Sequence, residues 1–214
     1  MTQTAALRCR CGKVRGRVEG AAPSSSNRVV CYCDDCQAFV HYLKRSDLLD
    51  ERGGSDIVHV APATLKFEQG TEHIVGMRLS PKGLYRFYAR CCHTPVSNTT
   101  TPQMPFVGLI ASTLSPVDQA FGPPKGGYLG KFAVGDIPAE HRKMSIGLML
   151  SVVGNVLGWR LRGKAWPHPF LDRDTREPLY PVHVISKEER TALRAFCGPT
   201  PTARPGGESA RAGE

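Results

Sequence analysis

"VVCYCDDCQAF", residues 29–39, places three cysteines, Cys31, Cys33 and Cys36, within six positions. On an extended chain residues i and i+2 point to one face. A slightly bent Cys31-x-Cys33 therefore aims two sulfurs at one point, and a turn at Asp34-Asp35 brings Cys36 back toward Cys33. Soft ligands at chelating spacing select zinc, which holds thiols as thiolates at neutral pH. Tetrahedral zinc takes four ligands, so a segment offering three invites either a distant protein ligand or an open position.

The other cysteines extend the pattern. Cys9 and Cys11 repeat the Cys-x-Cys spacing, Cys91 and Cys92 are adjacent, and Cys197 stands alone, where a buried thiol is expected. The start "MTQTAALRCR" has no apolar signal-peptide core, and no apolar run approaches the length of a membrane span. The expected compartment is the reducing cytosol, where clustered thiols serve as metal ligands or reactive groups rather than disulfides. Lys and Arg number 28 against 19 Asp and Glu, a formal charge of +9. Each three-thiolate zinc site subtracts one unit from that figure, and each four-thiolate site two. The excess suits an anionic membrane surface, a small anionic ligand or nucleic acid. With no run of five or more basic residues, nucleic acid is the weakest of the three.

The 214 residues carry 41% apolar and 22% charged side chains, ordinary for a globular chain, with 22 glycines and 17 prolines that favour turns and short strands. Residues 7–19 read as a strand or hairpin with Gly12 and Gly16 at turn or bulge positions, and "RVVCYC" as a short strand. A brief helix is expected over "CQAFVHYLKR", with Phe39, Tyr42 and Leu43 on one face. "DIVHV", "TLKFEQ", "HIVGMRLS" and "LYRFYAR" read as an antiparallel meander, and "PFVGLIAS" as a further strand. "FGPPKGGYLG" lacks the order of a phosphate-binding loop. From Pro138 to Lys164 the pattern predicts a long helix capped by Asp136. Basic residues flank its apolar centre, which fits a membrane-surface helix, but a core-packing helix is the expectation. Ser186 and Glu189 form a capping-box pattern before a second helix, and 198–214 reads as a disordered tail. The division expected is a β domain over 1–135, a helical extension over 136–197 packed on it, and the tail.

"CRCG" at 9–12, "CYCDDC" at 31–36 and "CCHTP" at 91–95 together resemble the glutathione-dependent formaldehyde-activating family, which includes the centromere protein V group. The resemblance covers roughly residues 7–110 and implies a mainly β fold, a β-tent of small coiled antiparallel sheets, with C-terminal helices added here. It implies a structural zinc on Cys9, Cys11 and a later Cys-x-x-Cys, and a second zinc on Cys31, Cys33 and Cys36 beside the site where glutathione meets formaldehyde. The later motif departs from the family: aligning Thr94-Pro95 leaves Cys92 in place but puts Ala89 at the other cysteine and His93 at the glycine. Cys91 or His93 is the candidate fourth ligand, unless the site holds no metal at all. Adjacent residues on a strand point apart, so Cys91 and Cys92 reach one ion only through a tight turn; otherwise Cys91 is a plain buried thiol.

The function expected is that of a zinc-dependent carbon–sulfur lyase, binding one or two zinc ions and acting on a glutathione–aldehyde adduct such as S-hydroxymethylglutathione. Cys31, Cys33 and Cys36 would form the open catalytic site, with the basic surface meeting glutathione's carboxylates. The alternative is a non-catalytic, zinc-stabilised module that binds protein or nucleic acid. His41, His59 and His73 are expected to be ordinary core or surface histidines, and Asp34 and Asp35 turn formers.

Overall fold

The computed structural model describes residues 3–100 and 104–199. In chain order its regular elements are β1 (Gln3–Arg8), β2 (Arg15–Ala21), β3 (Asn27–Cys31), α1 (Asp34–Tyr42), β4 (Ser55–Val60), β5 (Leu65–Gln69), β6 (Ile74–Arg78), β7 (Tyr85–Ala89), β8 (Thr94–Thr99), β9 (Val107–Ile110), β10 (Leu114–Ser115), α2 (Val117–Phe121), β11 (Gly127–Tyr128), α3 (Ala139–Arg142), α4 (Ile146–Leu161), β12 (Val182–Val184) and α5 (Lys187–Arg194). Short 3₁₀ turns join several of them. The strands form two sheets. The smaller runs β10-β1-β2-β5, the larger β11-β3-β4-β9-β8-β7-β6-β12. Pairing is antiparallel except at the two edges of the larger sheet, where β11 and β12 add in parallel to β3 and β6. The fold is mainly β.

The apolar faces of the sheets meet in one core. Ala5, Leu7 and Val18 from the smaller sheet pack with Val58, Phe87, Val96 and Leu109 from the larger. β1 alternates as a one-sided strand should, burying Ala5 and Leu7 and exposing Ala6 and Arg8. The expected meander divides between the sheets: β6, β7, β8 and β9 are successive antiparallel neighbours, but β5 crosses to pair with β2. Gly16 of β2 permits that crossing, since a Cβ there would stand 2.5 Å from the Lys66 carbonyl of β5. β8, unforeseen in the sequence, is buried along its whole length.

The segment after residue 136 contributes to the core as well as flanking it. Phe170 stacks on Phe87 with ring centroids 4.4 Å apart. The expected single helix from Pro138 breaks in two. Lys143 is extended between α3 and α4, and Ser145, not Asp136, caps α4 by accepting the Leu148 amide at 3.2 Å. The capping box of α5 is complete: Ser186 Oγ accepts the Glu189 amide at 3.0 Å, and Glu189 Oε2 accepts the Ser186 amide at 2.9 Å. The expected tail lies outside the described residues from position 200 onward.

His168 is buried beneath this layer. Its Nδ1 accepts the Phe170 amide at 3.1 Å, and burial pushes its pKa down from 6.5 to about 4. A base whose folded pKa is depressed gives stability that is complete above pH 6.5 and declines as pH falls toward 4. The full decline is on the order of 3 kcal/mol. Urea titrations at pH 7 and at about pH 4.5 should show the wild type losing more stability than His168→Gln. Equal losses would remove His168 from the acid response.

Candidate metal centres

Cys31 closes β3 and Cys33 is the N-cap of α1, with Cys36 in that helix's first turn. The sulfurs converge because the chain changes from strand to helix between them, rather than through a bent strand alone. Cys33 Sγ accepts the Cys36 amide at 3.2 Å and so caps the helix. The three Sγ atoms lie within 4.8 Å of one another, and no further His, Cys, Asp or Glu ligand atom joins them among the described residues. Hydrogen bonds from Cys31 and Cys33, and then Arg86, hold the Cys36 thiol well below its usual pKa; hydrogen bonding to Cys31 and Cys36 pushes Cys33 up.

Arg86, on β7, is fully buried against this cluster. Its guanidinium donates to Asn98 Oδ1 at 3.0 Å, approaches Cys36 Sγ at 3.8 Å and lies over the Phe39 ring. A buried cation needs a buried anion. Three thiolates around one divalent ion carry a net charge of minus one, which Arg86 matches. The donor set and its counter-charge therefore fit a divalent ion. No local motif marks Arg86 as part of this site, because it sits mid-strand, fifty residues along the chain from Cys36.

The same thiols face a cavity of about 300 Å³. Ile57, Leu84, Phe106, Val152 and Trp159 make most of its wall, and Asn27, His59, Asn98 and the phenol of Tyr128 are its polar members besides the cysteines. No Lys or Arg among the described residues lines it. Enclosure holds the His59 imidazole at about 4, hence neutral at pH 7. Asn27 Oδ1 accepts from Lys125 and Ser151, whereas its buried Nδ2 has no partner among the described residues.

Cys9, Cys11, Cys91 and Cys92 form the second cluster, again with all ligand atoms within 4.8 Å. Cys9 and Cys11 lie in a turn after β1, closed by the Gly12 amide on the Cys9 carbonyl at 2.9 Å, with Gly12 at φ +77°. Cys91 and Cys92 lie in the β7–β8 turn, where His93 adopts φ +53°. That turn lets adjacent residues reach one point. Sγ separations are 3.6 Å for Cys9–Cys11, 3.3 Å for Cys11–Cys91 and 3.8 Å for Cys91–Cys92. A zinc tetrahedron with its usual sulfur bond length has edges of about 3.8 Å, so these four suit a closed site. His93 is exposed and outside the group, and Ala89 packs in the core. Burial alone would raise Cys92, but the Thr94 hydroxyl at 3.1 Å and donors from Cys11 and Cys9 outweigh it, bringing it to about 6.

Other residues singled out in the sequence have structural surroundings. Asp34 and Asp35 open α1 and ion-pair with Arg194 of α5, rather than merely forming a turn. Cys197 is buried, its thiol donating to the Asp34 and Leu193 carbonyls. His41 is buried in α1 beside Phe196. His59 lies in β4, and His73 in a 3₁₀ turn before β6 rather than in a strand.

A model of the family described as "Family of unknown function (DUF6151)" matches residues 1–177. The chain belongs to that family. No curated protein matches this DUF6151 member significantly. Among solved structures, it is similar to a Rhodobacter sphaeroides protein from a structural genomics programme, with TM-score 0.40 and 14% identity over 52% of this chain and 88% of that one. No described helix is long and apolar enough to cross a membrane.

Proposed function

We propose that this protein is a zinc-dependent carbon–sulfur lyase that makes and breaks the bond between a thiol and an aldehyde. The observation that carries the reading is the three-thiol cluster, short of a fourth protein ligand among the described residues, on the wall of an apolar cavity. A zinc ion held by Cys31, Cys33 and Cys36 would supply a position where an external thiol is kept as thiolate at neutral pH. Arg86 balances the charge of the cysteine cluster. The apolar wall excludes water and receives the carbon skeleton of the aldehyde. Neutral His59 offers one donor and one acceptor nitrogen to the adduct's oxygen, and Asn27 Nδ2 is a spare donor. In the cleavage direction the carbon–sulfur bond breaks with its electron pair on sulfur, and the hydroxyl proton departs as the carbonyl forms.

Glutathione is the first thiol to test, because the cysteine motifs resemble those of a family that uses it. With no cation among the described residues that line the cavity, its carboxylates would stay at the basic exterior and its sulfur alone would enter. The reduced thiols this requires fit the cytoplasm. The chemistry is tested by NMR of adduct formation from glutathione and either formaldehyde or a longer apolar aldehyde. Acceleration that disappears in Cys33→Ser is expected; rates equal to the protein-free control for both aldehydes would reject lyase activity on these pairs. Metal content should fall in that variant from about two equivalents to about one, one for each cluster.

A zinc-stabilised binding module is the second reading, favoured by the closed geometry of the four-cysteine cluster. Cobalt substitution separates the two readings. Added thiol should change the cobalt spectrum if the three-cysteine site is open, and leave it unchanged if both sites are closed.

A further inference from the structure

We infer that α4 docks this protein on an anionic membrane surface, lying in the plane of the headgroups. One side of the helix faces the protein, with Leu148 and Trp159 buried and Val152 and Val156 on the cavity wall. The opposite side is an apolar stripe in the open: Ile146, Leu150, Val153, Leu157 and Leu161 recur at helical spacing and are 54–79% exposed. Exposure of this kind on a helix face marks an interaction site.

Charge identifies the occupant. Arg142 and Lys143 precede the helix, and Arg160, Arg162 and Lys164 end it; all five are exposed, and none is in an ion pair among the described residues. No Asp or Glu occurs between Glu140 and Asp172. A second copy placed on the stripe would bring cations against cations whichever way the helices ran. Residues 200–214 offer no large apolar side chain to match it. An apolar stripe between two cationic ends matches anionic lipid, which takes apolar side chains below the headgroups and cations among the phosphates.

The test is co-sedimentation of the full-length protein with vesicles. Binding to phosphatidylcholine/phosphatidylglycerol vesicles is expected, weakened by salt, with pure phosphatidylcholine binding at least about tenfold less. Leu150→Glu combined with Leu157→Glu should abolish it while leaving the circular dichroism and metal content of the wild type, since both side chains point to solvent. Arg160→Gln combined with Arg162→Gln should weaken it without abolishing it. Failure to sediment, or sedimentation unaffected by the leucine substitutions, would overturn the inference. So would a lipid-free dimer that those substitutions convert to monomer, which would give the stripe to a second copy. None of these readouts depends on the lyase reaction.

Discussion

Cys9→Ser should cost the protein its fold as well as a metal ion. The four-cysteine cluster joins the turn after β1, in the smaller sheet, to the β7–β8 turn, in the larger. One metal there would tie the sheets together at their ends, where Arg10 and Thr94 add a hydrogen bond of 3.1 Å. Cys9 is also the best buried of the four, and its sulfur accepts the Val14 amide at 3.3 Å. Serine brings a shorter, harder oxygen that stays protonated, so it loses both the ligand and the charge that the amide stabilises. A metal bound only by the folded state adds its binding free energy to folding. The expected loss is several kcal/mol, a large part of the stability of a domain this size, seen as a lower thermal midpoint and an excess of zinc-free, protease-sensitive protein. Cys33→Ser should differ: one equivalent of metal is lost, but the thermal midpoint falls less, because Cys31, Cys33 and Cys36 all belong to one β3–α1 segment. Equal thermal losses in the two variants would contradict the assignment of one stapling site and one open site.

The parts of this arrangement visible in the sequence are those where chemistry is local. Cys31, Cys33 and Cys36 could be read as one site because their spacing alone brings them together. Ser186 and Glu189 could be read as a cap because a capping box is complete within four residues. Of the strand or hairpin expected over 7–19, the structure keeps the end of β1 and most of β2, with a turn between them, whereas β1 begins at Gln3, ahead of that stretch. β8 was not legible, because "TPVSNT" is buried on both sides yet mostly polar, so neither alternation nor an apolar run marks it. Its Pro95 is tolerated where the β7–β8 register shifts, next to Tyr88. The transfer of β5 to the other sheet depends on contacts with β2 that no local pattern encodes. Cys91 joined Cys92 through the left-handed backbone at His93, a conformation that a histidine seldom announces. The broken helix followed the same logic: Ser145 competed with the apolar periodicity around it and won as a cap.

Arg86 shows how much of a metal site can lie outside its ligands, and replacing it should have the second large effect. In Arg86→Met the volume and the packing on Phe39 are roughly kept, while the charge is removed from a position that is 1% exposed. Burial opposes the guanidinium charge, and the Cys36 and Cys33 sulfurs more than offset this, so the arginine and the cluster stabilise each other. Without the cation, a metal–trithiolate unit would be left as an uncompensated buried anion, and Asn98 would lose its donor. Breaking a buried charge pair from one side costs about 3–5 kcal/mol. Part of that cost should appear as weaker metal binding at Cys31, Cys33 and Cys36, by about 10–100-fold in a chelator competition, with the four-cysteine cluster unaffected. Arg86→Lys keeps the charge but not the fork that reaches both Asn98 and Cys36, so it should recover metal retention only in part. A purely structural arginine would give a different result: Arg86→Met would lower the unfolding midpoint, yet the chelator would strip both clusters at the wild-type rate. The charge balance between arginine and cluster would then be wrong.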